Sequence, residues 1–273
     1  MTQRKVKTSY PHPDTAAPSG DRPVALVTGA SSGIGKALCL VLGRHGYEVA
    51  MIARGQAALE NAAEEVEAAG GVPMVVPADV TNRNAHEAAL DTILARTGRV
   101  DVAVAAAGLG YATPAESLDL ERLQRMIDVN VTGFVNTIGL VLPHMVERDT
   151  GHIVGLSSLS GYRGLPGNGM YCGTKVFNRV FMQSLRMDLA NTGVKTLCVC
   201  PGWVATPMTR GNKAKMQFVL DPDKLATKVY KAMVAGKSLL AVPHGLAEMT
   251  RFGLPMPDTL YDLFVGRRRM PFA

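Results

Sequence analysis

Seven short apolar runs separated by longer stretches of helical period lie between residues 24 and 242, and no other feature of the sequence restricts the fold as tightly. The runs fall at 24–28, 48–53, 73–77, 100–106, 152–156, 194–200 and 238–242. Most are continuous in Val, Ile, Leu and Ala instead of alternating with polar residues, as strands buried on both faces require. Helical patterns occupy 33–45, 57–69, 82–97, 118–147, 168–191 and 222–235. Strand, helix and strand in this order imply right-handed crossovers and a parallel sheet covered on both sides. The expectation is an α/β, doubly wound Rossmann fold with a seven-stranded parallel sheet, spanning 23–248.

Residues 1–22 mix Lys, Ser, Thr, Pro, Asp and Gly without hydrophobic period and are expected to form a flexible arm. Residues 249–273 form an extension in which Phe252, Leu254, Met256, Leu260, Leu263, Phe264 and Val265 precede Arg267, Arg268 and Arg269. Packing on the domain or at a subunit interface is expected there; a peripheral membrane contact or a hydrophobic substrate entrance is the alternative. The formal charge of +6 does not point to nucleic acid, because Arg4, Lys5, Lys7 and the arginine triplet gather at the two ends. Cys39, Cys172, Cys198 and Cys200 show no paired framework, and buried reduced thiols are expected. With no apolar signal core at the N-terminus, a cytoplasmic protein is expected. The histidines show no metal-ligand spacing, and no metal is predicted.

The first run leads directly into Thr28-Gly29-Ala30-Ser31-Ser32-Gly33-Ile34-Gly35 and then a helix. A glycine-rich turn between strand and helix is the setting in which backbone N–H groups and the helix dipole hold a phosphate. Gly29 permits the turn, Gly33 the approach of a pyrophosphate and Gly35 close helix-sheet packing, while Ser31 and Ser32 add hydroxyl donors. The second run ends in Ala53-Arg54. An acid at that end binds a ribose 2′-hydroxyl and a base accommodates a 2′-phosphate, so the arginine predicts NADP(H) in preference to NAD(H). Asp79 and Val80, after the third run, are expected at the adenine.

Tyr171 and Lys175 stand four residues apart at the start of a predicted helix and so share one face. A phenol of ordinary pKa is a poor acid-base group at neutral pH; a neighbouring ammonium and a charged nicotinamide are expected to draw it toward the working range. Ser158 ends the fifth run, at the sheet edge where ligands of this fold bind, and is expected to hydrogen-bond the same substrate oxygen as Tyr171.

In order and spacing, these motifs, with Asn130 between the fourth and fifth runs and Pro201-Gly202-Trp203-Val204-Ala205-Thr206 after the sixth, resemble the short-chain dehydrogenase/reductase family over about residues 23 to 245. The resemblance implies hydride transfer between a carbonyl and an alcohol. It implies that Asn130 positions a water continuing a proton relay from Lys175. Pro201, Gly202, Val204 and Thr206 would flank the nicotinamide carboxamide. A homodimer or homotetramer through the long helices around Val131 and Phe177 is also implied. The chain departs from the family at Ala106-Ala107-Gly108, where an Asn-Ala-Gly sequence is usual. Loss of that amide predicts a weaker backbone brace, although Gly108 still lets the cofactor approach.

A loop through Met208, Thr209, Arg210, Met216, Phe218 and Val219 is expected to cover the substrate, joined by Leu109, Tyr111, Leu159, Leu165 and Met170. That lining suggests a lipophilic carbonyl or alcohol. The competing function is an NADP(H)-binding redox sensor without turnover.

Overall fold

The first apolar run becomes β1 (Val24–Thr28), all five residues buried, and it leads through the glycine-rich turn into α1 (Gly33–Arg44). Then follow β2 (Glu48–Ala53), α2 (Gln56–Ala68), β3 (Val72–Pro77), α3 (Arg83–Thr97) and β4 (Val102–Ala105). The second half runs through α4 (Leu120–Ile127), α5 (Gly133–Glu147), β5 (Gly151–Leu156), α6 (Gly169–Asp188) and β6 (Val194–Pro201). It ends in α7 (Pro222–Val234), β7 (Leu239–Val242), α8 (His244–Phe252) and the short α9 (Asp258–Tyr261). The structure is a computed structural model and describes residues 22–210 and 218–266. The N-terminal arm, Met216 and Arg267 to Arg269 lie outside the described residues.

All seven strands are parallel, in the order β3-β2-β1-β4-β5-β6-β7. Two cores sandwich the sheet. Ala25 and Val27 point into the one formed with Leu38, Leu59, Val66, Leu225 and Val229 of α1, α2 and α7. Val24 and Leu26 point into the other, with Leu90, Ile93, Phe134, Ile138, Met182 and Leu185 of α3, α5 and α6. A strand with two apolar faces has no reason to alternate, which explains the continuous runs. The chain order reverses between β1 and β4, and there the loops part into a crevice beyond the strands' carboxyl ends.

The predicted helix over 118–147 differs in detail. A π-helical turn, Asp128–Thr132, joins α4 to α5 and carries Asn130 into the interior. One extra residue per turn shifts the helical face, a distortion common at functional sites. The composite helix 120–147 is long and apolar enough to cross a membrane by length and composition. Here its Phe134, Ile138, Val141 and Met145 are buried in the domain.

α3 is capped by Asn82, whose side chain accepts from Ala85 N, and closed by Gly98 in the left-handed conformation. Within it His86 is fully buried and neither ring nitrogen finds a hydrogen-bond partner among the described residues. Burial lowers its pKa to about 4. Between the ordinary histidine value and about 4, the unfolded chain binds the proton and the folded one does not. Stability is therefore lost as pH falls through this window, by up to about 3 kcal/mol. His86→Leu should flatten the decline in melting temperature between pH 6.5 and 4, measured by thermal unfolding at each pH; an unchanged slope would assign the acid lability elsewhere.

Candidate functional site

A cavity of about 1550 Å³ opens at the switch between β1 and β4. Every residue expected at the cofactor lines it, from the glycine-rich turn through Arg54, Asp79, Val80 and Ala106 to Gly108, to Pro201, Gly202, Val204 and Thr206. Ser158, Tyr171 and Lys175 line it too. Asn130 does not. It stands one layer behind.

Two glycines make the phosphate cradle. Gly29 has φ +68°, and a Cβ there would meet the Ala107 backbone at 2.9 Å. At Gly35 a Cβ would lie 2.2 Å from the Gly29 carbonyl oxygen, so the first turn of α1 can lie on the loop only because the position has no side chain. No side chain caps α1 and its first turn holds no acid, which leaves N–H groups and the positive dipole end facing the cavity. These residues fit a dinucleotide pyrophosphate.

The backbone around Ala106 is held from β1 by Thr28. Thr28 Oγ1 accepts from Ala106 N at 3.1 Å and Ala107 N at 3.3 Å, and donates to Val104 O at 3.3 Å. One hydroxyl of β1 thus serves three backbone groups there.

At the end where the adenine is expected, one Asp79 carboxylate oxygen accepts from the amide and hydroxyl of Thr81, at 2.9 and 2.8 Å. Val80 is held by Asn136 of α5, which donates to its carbonyl at 2.9 Å. Arg54 is exposed at the cavity rim and makes no hydrogen bond or ion pair with the described residues. Its neighbour Ala53 offers no carboxylate.

The catalytic candidates converge as their spacing predicts. Ser158 is buried just past the end of β5, accepts from Ser160 N at 3.1 Å, donates to Pro201 O at 3.4 Å and lies close enough to the Tyr171 phenol to act on its pKa. The Lys175 ammonium lies 5.7 Å from the Tyr171 ring centre and donates to Leu156 O at 3.2 Å. Next to Ser158, Ser157 donates to Lys175 O at 2.7 Å, which ties β5 to α6.

Electrostatics correct one expectation. The protein's own groups do not draw the Tyr171 phenol down; burial pushes it up to about 12, and the hydrogen bond with Ser158 offsets only part of that. Burial also pulls Lys175 down to about 8. Both shifts have the same origin, since removing water penalises phenolate and ammonium alike. Burial thus favours the neutral, protonated phenol of Tyr171.

Asn130 is buried behind the cavity lining. Its Oδ1 accepts from Leu109 N at 2.7 Å, and its amide donates to Leu109 O at 2.8 Å and to Thr174 Oγ1 at 3.1 Å. These bonds fix the loop after β4 and the residue preceding Lys175.

Of the residues expected at the substrate, Leu109, Tyr111, Leu159, Leu165, Met208, Thr209 and Arg210 line the cavity. Met170, Phe218 and Val219 do not: the last two are exposed, and Met170 lies off the lining on the first turn of α6. The extension lines it instead through Met249, Thr250, Gly253, Tyr261 and Val265, and Arg163 joins them. Nothing in the sequence near Arg163 announces this.

Comparison with known proteins agrees with this geometry. A family model described as short chain dehydrogenase matches residues 23–217. An uncharacterized oxidoreductase of Myxococcus xanthus is 41% identical over 245 residues, covering 90% of this chain and 97% of that protein. Actinorhodin polyketide ketoreductase, solved with NADPH, superposes with a TM-score of 0.78 at 30% identity, covering 85% of this chain and 99% of the other. An alcohol dehydrogenase from Thermococcus sibiricus, solved with 5-hydroxy-NADP, gives 0.74 at 31% identity, covering 81% and 96%. With a seven-stranded parallel sheet, a glycine cradle and a Ser-Tyr-Lys cluster in one crevice, the chain belongs to the short-chain dehydrogenase family of oxidoreductases.

Proposed function

We propose that this oxidoreductase uses NADP(H) to interconvert a lipophilic carbonyl compound and its primary or secondary alcohol. The observation that carries the reading is the opening of Ser158, Tyr171 and Lys175 into the same cavity as the glycine cradle. NADPH supplies the hydride when bound. Ser158 donates a hydrogen bond to the substrate oxygen, and Tyr171 gives that oxygen its proton as negative charge develops there. Lys175 keeps a positive charge beside the phenol and favours its anion once the proton has left. Asn130 holds the Leu109 backbone and Thr174, and through them the position of Lys175. The apolar residues Leu109, Leu159, Leu165, Met208 and Met249 along the substrate end support a lipophilic substrate.

Arg54 decides the cofactor in this reading. A guanidinium at the rim with no partner among the described residues matches a 2′-phosphate, and an alanine at position 53 gives a ribose hydroxyl no acceptor. The test is turnover of NADPH and NADH against a panel of aldehydes, ketones and quinones, with Arg54→Ala alongside. KM for NADPH should rise about tenfold in the variant, with NADH little changed. Equal use of both cofactors by the wild-type chain would remove the NADP(H) assignment. Tight NADPH binding without turnover of any substrate would favour the redox sensor.

The same reading extends to assembly and location. α6 leaves Phe177, Val180 and Met187 exposed, and Phe177 stacks on Phe181 at 5.8 Å, a surface suited to pairing two copies as a homodimer or homotetramer. Four free buried cysteines suit a reducing, cytoplasmic setting.

A further inference from the structure

α8 and α9 are held to the domain by little apolar burial. Only Ala247 of α8 is buried, and no residue of α9 is. A helix end also leaves carbonyl groups in need of donors. A single guanidinium answers both needs. Arg163 donates to the carbonyls of Gly253 and Met256, the latter at 2.7 Å, and pairs with the Asp258 carboxylate. Its plane lies over the Tyr261 ring at 3.9 Å, and the Tyr261 hydroxyl returns a hydrogen bond to Gly164 O at 3.0 Å.

The weight of this cluster does not lie in the ion pair. Asp258 is 95% exposed, where a salt bridge is screened and adds little, whereas the Arg163 side chain is only 15% exposed. Charged donors on two backbone carbonyls and a cation over an aromatic face are the stronger contacts. They bridge 90 residues of chain or more.

Arg163 sits in the loop between Ser158 and Tyr171, so the clamp joins the extension to the segment that carries both hydroxyls. Leu246, Met249, Gly253, Tyr261 and Val265 form the cavity wall on that side. We propose that Arg163 is a positioning residue that locks the segment from α8 to residue 265 as the far wall of the substrate end, and so sets the preference for long apolar carbonyl compounds over small ones. This rests on the carbonyl-alcohol reading above.

The test uses the full chain carrying Arg163→Met, which keeps length and apolarity but removes the donors. Limited proteolysis should cut within 253–262 at least about five times faster than in the wild type, because opening of that segment no longer breaks the clamp. KM for a long-chain 3-ketone should rise about tenfold with kcat within about twofold, while a four-carbon ketone, too short to reach the wall, keeps both constants. Tyr261→Phe, which loses one hydrogen bond and keeps the stacked ring, should move the same readouts in the same direction by less, and it serves if the methionine variant does not fold. Unchanged protease sensitivity, or equal losses for the two ketones, would overturn the proposal. If the wild-type chain turns over neither ketone, the carbonyl reading falls and the preference with it, while the proteolysis arm still decides whether Arg163 holds the wall.

Discussion

Tyr171→Phe will lower kcat/KM for carbonyl reduction by about three orders of magnitude while NADPH affinity stays within about twofold. The substitution removes one oxygen from a ring that already fits its place, so packing of α6 is kept. What is lost is the proton that neutralises the substrate oxygen. Burial raises the phenol to about 12, so the proton is present on wild-type Tyr171 across the ordinary pH range. Lys175 is the group that titrates within it. Its ammonium, pulled down to about 8, is charged below that pH and neutral above it. Reduction by the wild-type chain should therefore decline as pH rises through about 8. Steady-state rates and NADPH fluorescence titrations measure both quantities. A phenylalanine variant that keeps a tenth of the wild-type activity would take the proton-transfer role away from Tyr171.

Gly35→Ala will cost the fold and the cofactor site together. The added methyl group would lie 2.2 Å from the Gly29 carbonyl oxygen, and neither atom can swing aside because both belong to backbone. Either α1 rises from the sheet or the loop before it opens. Overpacking of this kind costs about 3 kcal/mol, which for a chain of this size is roughly 6–12 °C in melting temperature. Since the same turn presents the N–H groups of α1, the stabilisation that NADPH gives the wild-type protein in a thermal melt should largely vanish. Retention of both the melting temperature and the NADPH shift would mean that the cradle does not depend on contact between Gly29 and Gly35.

The parallel, two-sided sheet could be read from Val24 to Thr28 and its six counterparts because a strand covered on both faces must be apolar throughout, and that requirement is written residue by residue. The cradle and the catalytic cluster were legible for a similar reason. Gly29, Gly33 and Gly35 belong to one turn, and Tyr171 and Lys175 to one helical face, so spacing along the chain already fixes their spacing in space. Ser158 lies only 13 residues before Tyr171 at a predicted strand end.

Tertiary structure decided what depends on partners distant in sequence. Thr28 braces Ala106 and Ala107 from 78 and 79 residues away, which local pattern cannot reveal. The turn of Asn130 into the interior required a π-helical turn, a distortion that hydrophobic periodicity averages away. The direction of the Tyr171 shift followed from burial, a property of everything packed around the phenol and not of Lys175 alone. Arg163, unremarkable between Tyr162 and Gly164, acquires its role only because the last helices return to within hydrogen-bond reach of it. Sequence by itself determined the elements and the chemistry carried within each, because those are set by neighbours along the chain. The bracing of the crevice and the wall of its substrate end were decided only by the packed fold, because contacts across some 80 to 95 residues exist only once the sheet has assembled.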